Sequence, residues 1–412
     1  MYTMKEVNQV KDEIQQQAHA IWTAAGRRGT VSAGTGFGKS RIAVMEANRM
    51  FMDGSLPSMN SILLVTPTEK LRDENWPKEF ADWEADYLLD RRYVKLICYA
   101  SLKNEKGNHY KLVILDEVHR LTDLAAEAFK NGEDDALTTF FSENLADAVL
   151  GLTATVPDSK REPDKVRIIS QVAPVVFNYS LDQGVEDGMI ADYEIRVIMH
   201  TLDAKEKYIP GGTKAKPFLT TEASHYEYLE KQIRRHRMLV AQAPPVKKAS
   251  MEKLAMFKTF DRNRFLYNLK SKTDLARRCM KHMLGSKRTL VFCGSIEQAE
   301  LLLPGATYHS KSGSEAYNAF NAKKINTLAA VQAVDEGVNI VDLDQLLIVG
   351  FDSSDRRLTQ RIGRSLRLRP GHKAIIIILC TQGTAEEKWL EKAIKGFDPA
   401  KISYYSSKNV PA

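Results

Sequence analysis

The segment Ala33-Gly34-Thr35-Gly36-Phe37-Gly38-Lys39-Ser40 places three glycines, a lysine and a terminal hydroxyl within eight residues. That set suits the binding of phosphate. Gly34, Gly36 and Gly38 let backbone amides turn toward phosphate oxygens, and a helix starting at Lys39 adds its positive dipole end. Lys39 would bridge the outer phosphates and Ser40 would give its hydroxyl to magnesium. The full pattern begins with Gly, where this chain has Ala33. Downstream, the apolar run Leu112–Leu115 ends in Asp116-Glu117. Carboxylates at the C-terminal edge of a strand lie where ligands bind in open α/β sheets. Asp116 suits a magnesium shell, and Glu117 the orientation and deprotonation of a water. Alone, the pair would read as an acidic helix cap. Beside a phosphate loop it reads as the second part of an ATP and magnesium site. Near the far end, Gln360-Arg361-Ile362-Gly363-Arg364-Ser365-Leu366-Arg367 sets three arginines on one helical face.

The elements that must position these groups follow a rhythm. Gly29–Ser32 reads as a strand and Lys39–Met50 as a helix. Short apolar runs then recur at Ile62–Val65, Tyr93–Cys98, Leu112–Leu115 and Ala148–Leu152. They return at Leu290–Cys293, Leu328–Val331, Leu346–Val349 and Ala374–Leu379. Continuous apolar runs alternating with helical patterns predict parallel strands buried on both faces, and two such sets predict two α/β layers in tandem. Residues from about 203 to 286 lack strand runs and are broken at Pro210-Gly211-Gly212 and Pro244-Pro245. Between Glu230 and Glu252 this stretch holds Lys231, Arg234, Arg235, Arg237, Lys247 and Lys248 but no acid. It reads as a basic helical insertion or as a solvated linker. Tyr226, Tyr228 and Phe257 could stack on bases there, although aromatics at helical spacing are more often core. The expected divisions are a first domain over 1–190, a second over 191–398 that includes the insertion, and a flexible tail over 399–412.

A net charge of +7 over 412 residues, with pI near 9.0, leans mildly toward an anionic partner. The four cysteines, Cys98, Cys279, Cys293 and Cys380, lack the spacing of a zinc ribbon or a redox dithiol and suit a reducing compartment. No apolar run nears the roughly 20 residues that span a bilayer. Met1–Lys11 is polar and is no secretory signal. A cytoplasmic protein without a membrane partner is expected.

The chain resembles superfamily 2 helicases of the DExH branch, over most of residues 1–200 and 285–395. The loop is similar to the family's first motif and Asp116-Glu117-Val118-His119 to its second. Gly151-Leu152-Thr153-Ala154-Thr155-Val156-Pro157 is similar to its coupling motif. Thr66-Pro67-Thr68, followed by Asn75-Trp76, is similar to a strand-gripping motif, and Cys98–Leu102 to the segment after it. Later motifs find counterparts in Leu290–Ser295, Val334–Asn339 and Gln360–Arg367. The compact layout is similar to phage branch-migration helicases of the UvsW type. The resemblance implies two tandem RecA-like domains with ATP between them. It implies catalytic roles for Lys39, Asp116, Glu117, Gln360, Arg364 and Arg367, with the two arginines delivering charge to the γ-phosphate. Nucleotide contacts are implied for Gln17, Gly34, Thr35, Gly36, Phe37, Gly38, Lys39, Ser40, Gly337 and Asn339. Nucleic-acid contacts are implied for Thr66, Pro67, Thr68, Ser101, Cys293, Gly294 and Ser295. A monomer would suffice, since one chain supplies every part. DNA is favoured over RNA. Strand separation or branch migration, duplex translocation without unwinding, and an ATP-gated clamp remain open.

Overall fold

The computed structural model describes residues 4–34, 37–84, 87–105, 107–121, 146–154, 156–157, 162–187, 191–213, 215–285, 287–331, 343–352 and 373–411. Its contacts divide into two compact units that meet at the Ala191/Asp192 bond.

The first unit is built on a six-stranded sheet of order β3-β2-β4-β5-β1-β6. The strands are β1 (Arg28–Ala33), β2 (Ile62–Thr66), β3 (Val94–Cys98), β4 (Leu112–Asp116), β5 (Val149–Thr153) and β6 (Val175–Tyr179). Every pairing is parallel. The apolar runs of β2, β4 and β5 are buried throughout except at Asp116, because helices cover both sheet faces. The helix Met4–Ala24 is pinned to this sheet by Trp22, which is fully buried and donates from its indole to the Val149 carbonyl (3.0 Å).

The second unit carries a seven-stranded sheet of order β11-β12-β10-β13-β14-β7-β15. It comprises β7 (Asp192–His200), β10 (Thr289–Phe292), β11 (Thr307–Tyr308), β12 (Thr327–Ala330), β13 (Gln345–Ile348), β14 (Lys373–Thr381) and β15 (Ile402–Ser406). These pairings are parallel as well. Two parallel α/β units in tandem match the expected fold class.

Two expectations change. The tail from Pro399 is not disordered. It forms a 3₁₀ turn at Pro399–Lys401, and β15 then pairs with β7, so the last residues close a sheet edge. Val410 is buried in the core of the second unit. The region 203–286 is not free of strands either. An antiparallel hairpin joins β8 (Ile209–Thr213) to β9 (Lys216–Thr220). Its turn needs glycine at 212, where φ is 85° and a side chain would run into the Lys216 carbonyl. The helices Glu222–Ala241 and Pro245–Tyr267 follow and pack on each other. The next helix, Lys270–His282, belongs to the sheet layer, since Leu275, Ala276 and Cys279 join its core. Tyr226 is buried and accepts the Ala385 amide on its hydroxyl (2.9 Å), whereas Tyr228 and Phe257 are exposed.

Candidate nucleotide site

The phosphate loop leaves β1, the strand between β5 and β6, and enters the helix Lys39–Met52. Gly38 makes that entry at φ 81°, ψ 43°, a left-handed conformation that L side chains disfavour. A Cβ at this position would also stand 2.5 Å from Gln15 Nε2. Among the described residues no side chain caps this helix or accepts from its N-terminal amides. That is the fit a phosphate group requires. Phe37 anchors the loop from below, because its ring is 1% exposed and lies 5.2 Å from Tyr179 and 6.1 Å from Phe177.

Gln15, not Gln17, is the glutamine that reaches the loop. Its amide donates to the carbonyls of Phe37 (2.5 Å) and Gly38 (3.3 Å) and accepts from Arg41 (2.7 Å). Gln17 lies on the exposed side of the same helix. Two residues are 200° of helical turn, so only one of the pair can face the sheet.

Lys39 donates to the Ala33 carbonyl (2.8 Å). Burial lowers its pKa, against the opposing pull of Glu117 and Asp116. Asp116 ends β4 and Glu117 follows at φ 48°. Burial, and then the charge of Glu117, push the Asp116 carboxyl above its ordinary range. Burial works against Glu117 too, but the hydrogen bond from His119 and the charge of Lys39 outweigh it and hold that carboxyl low. His119 Nδ1 lies 3.3 Å from Glu117 Oε2 and 3.0 Å from the Thr153 hydroxyl. Thr153 ends β5, so the acidic pair and the segment resembling a coupling motif are joined through one histidine.

Two residues that sequence reasoning did not place at this site also reach it. The Trp76 indole donates to Asp116 Oδ2 (2.8 Å), and Glu79 Oε1 accepts the Ser40 hydroxyl (2.6 Å). Trp76 falls in the segment similar to a strand-gripping motif, and Glu79 gives no signal in the sequence beyond standing three residues from it.

The residues expected to grip nucleic acid range from buried to partly exposed. Thr66 is fully buried, and its hydroxyl donates to the carbonyls of Thr68 (3.1 Å) and Ile97 (3.4 Å). Pro67, Thr68 and Ser101 are partly exposed. Cys293 is 1% exposed, within the core of the second unit. Its amide donates to Ala330, and that of Gly294 to Gln298 Oε1 (3.0 Å). The Ser295 hydroxyl accepts the Gln298 amide (3.0 Å) and bonds Asn268. These turn groups therefore satisfy one another instead of presenting free donors. Thr35, Gly36, Gly337, Asn339, Gln360, Arg364 and Arg367 lie outside the described residues.

Among the described residues no cluster of metal-ligating side chains occurs outside this pairing, and no helix is long and apolar enough to cross a membrane. The four cysteines are buried and form no disulfide.

Known proteins resemble this chain in sequence and in fold. The family described as "Type III restriction enzyme, res subunit" matches residues 2–158, and the "Helicase conserved C-terminal domain" matches residues 271–369. The DNA 3'-5' translocase XPB2 of Sulfurisphaera tokodaii is 26% identical over 401 residues, spanning 92% of this chain and 84% of its own. The ATP-dependent DNA helicase fml1 of Schizosaccharomyces pombe is 34% identical over 79 residues, which is 19% of this chain and 9% of that protein. In fold, the Hef helicase domain of Pyrococcus furiosus covers 92% of this chain and 96% of its own at TM-score 0.50 and 14% identity. The DNA-bound Type ISP restriction-modification enzyme LlaBIII covers 95% of this chain at TM-score 0.57 and 16% identity, while the chain spans 31% of that larger enzyme. The chain is a superfamily 2 helicase, an ATP-dependent enzyme.

Proposed function

We propose that this chain hydrolyses ATP at the site headed by Lys39 and uses the cycle to move along DNA. The observation that carries this reading is the convergence of Lys39, Ser40, Asp116 and Glu117 beside an uncapped helix N-terminus. The loop amides and Lys39 would hold the β- and γ-phosphates. Ser40 and Asp116 would hold magnesium, which would supply positive charge to neutralise the phosphates. Glu117 stays ionised under His119 and Lys39, and would orient the attacking water and take its proton. Arg364 and Arg367 would supply positive charge to the γ-phosphate, a contribution typically of roughly 10³–10⁵ in rate.

DNA is favoured over RNA because the relatives with printed substrates act on or bind DNA. Backbone contacts carry no sequence information and weaken steeply with salt. The likeness to restriction-enzyme subunits supports a second mode, tracking along a duplex without separating it. Branch migration, suggested by the compact layout, would be a third use of the same motor. ATPase rates with single-stranded DNA, duplex, forked DNA and RNA test the substrate. Strand-displacement and triplex-displacement assays then separate unwinding from tracking. Greater stimulation by RNA than by any DNA would overturn the DNA reading.

A further inference from the structure

Trp76 and Glu79 stand three residues apart on the helix Trp76–Asp82, and each holds one of the two side chains assigned above to magnesium. Trp76 is 4% exposed and braced on Phe80, with ring centroids 5.8 Å apart. Its N–H occupies Asp116 Oδ2 and so fixes how the other oxygen is presented. Glu79 accepts the hydrogen bond of the Ser40 hydroxyl, which turns the hydroxyl lone pairs away from Glu79. The Trp83 indole donates to the same Glu79 oxygen (3.2 Å) and steadies it. Partners of this kind orient metal ligands, and losing one typically costs about 10- to 100-fold in metal affinity or activity.

We propose that Trp76 and Glu79 are positioning residues for the magnesium of the nucleotide, acting through Asp116 and Ser40. The inference rests on reading this site as one for magnesium and ATP. The helix that carries both residues continues directly from a π-turn, Leu71–Asn75. That turn begins just beyond the Thr66–Thr68 loop, where Thr68 Oγ1 accepts the Leu71 amide (3.3 Å). Single π-turns are frequent at functional sites. The partners of both proposed metal ligands are thus built onto the element that leaves the segment resembling a strand-gripping motif.

The test is equilibrium binding of a fluorescent, non-hydrolysable ATP analogue to the full chain, titrated with magnesium and repeated in EDTA. Glu79→Ala and Trp76→Phe should each raise the magnesium concentration at half-maximal binding by about tenfold. Binding in EDTA should stay within about twofold of wild type. Glu79→Gln should remain near wild type, since its amide oxygen still accepts the Ser40 proton. An unchanged magnesium midpoint in both Glu79→Ala and Trp76→Phe would overturn the proposal, as would an equal loss with and without metal. Trp76→Phe keeps the buried ring, so a folded protein with the N–H removed can be measured. Wild-type protein that binds the analogue equally well with and without magnesium would sink this inference while leaving the nucleotide site standing. Wild-type protein that binds no analogue would sink both.

Discussion

After β1 the chain enters its helix through Gly38, in a left-handed conformation and without a side-chain cap. After β10 it enters the helix Ile296–Leu302 through Ser295, whose hydroxyl caps it by accepting the Gln298 amide. Both turns leave a parallel strand in the interior of its sheet. Among the described residues the first helix has no side-chain acceptor at its N-terminal amides, and the second has one in Ser295. Backbones also crowd the second turn, where a side chain at Gly350 would strike Gly294. Repeating the scaffold has therefore not repeated the anion site. Capping chemistry, more than topology, decides which turn can take a phosphate.

The largest expected effect tests the first turn. Lys39→Ala should lower nucleic-acid-stimulated ATPase by roughly a thousandfold, the scale of removing a group aimed at transition-state charge. Steady-state phosphate release measures it. A comparable loss from Ser295→Ala would break the contrast between the turns.

Buried charge distinguishes the units as well. In the second, Lys272 and Glu386 are both fully buried and meet at 2.5 Å, and Glu386 also accepts the Thr381 amide (3.0 Å). Lys272→Met would leave that carboxylate buried without its cation, costing about 3–4 kcal/mol in chemical denaturation. In the first, the buried Glu46 behind the phosphate loop gathers Arg27, Arg49 and His19. Burial alone would raise its pKa, but hydrogen bonds from His19 and Arg49 and the charge of Arg27 outweigh that and hold it at about 2, below the ordinary 4.5. Because the folded value is the lower one, the stabilisation is full above pH 4.5 and drains away as pH falls toward 2. The shift corresponds to about 3 kcal/mol. The stability gap between wild type and Glu46→Gln should therefore shrink between neutral pH and about pH 3. A gap independent of pH would refute the depressed carboxyl.

Legibility in the sequence followed burial. The central strands β2, β4, β5, β10, β13 and β14 are apolar runs because both faces are covered, and their positions could be read directly. β6 and β15 escaped notice because they lie at sheet edges, with Val175 and Tyr404 exposed. β7 escaped because Asp192, Glu194 and Arg196 alternate with buried residues and break the apolar run. The hairpin of β8 and β9 has no buried face to leave a pattern, as β9 is exposed for most of its length. At the candidate site, Gly38, Lys39, Ser40, Asp116 and Glu117 stand out in the sequence because phosphate and magnesium chemistry would need those types at those spacings. Gln15, Trp76 and Glu79 do not, since each reaches these residues by a contact that only the folded chain creates. The Thr66 hydroxyl bonds nearby carbonyls, which its place in the motif does not reveal.

The smallest expected effect sharpens the contrast most, because it asks what Ser295 is for. If its hydroxyl is a cap, Ser295→Ala should cost about 1 kcal/mol of second-unit stability, read by urea denaturation. The salt dependence of nucleic-acid binding should stay the same. Ser295→Asp separates cap from contact more sharply. Aspartate caps as well as serine and is favourable at a helix N-terminus, so it should recover most of the lost stability. A residue touching phosphate would instead repel it when made acidic, and affinity would fall severalfold at low salt, where screening is weakest. Recovered stability with undiminished affinity assigns Ser295 to the helix. Weakened binding with stability intact would return it to the nucleic-acid interface and erase the difference between the two turns.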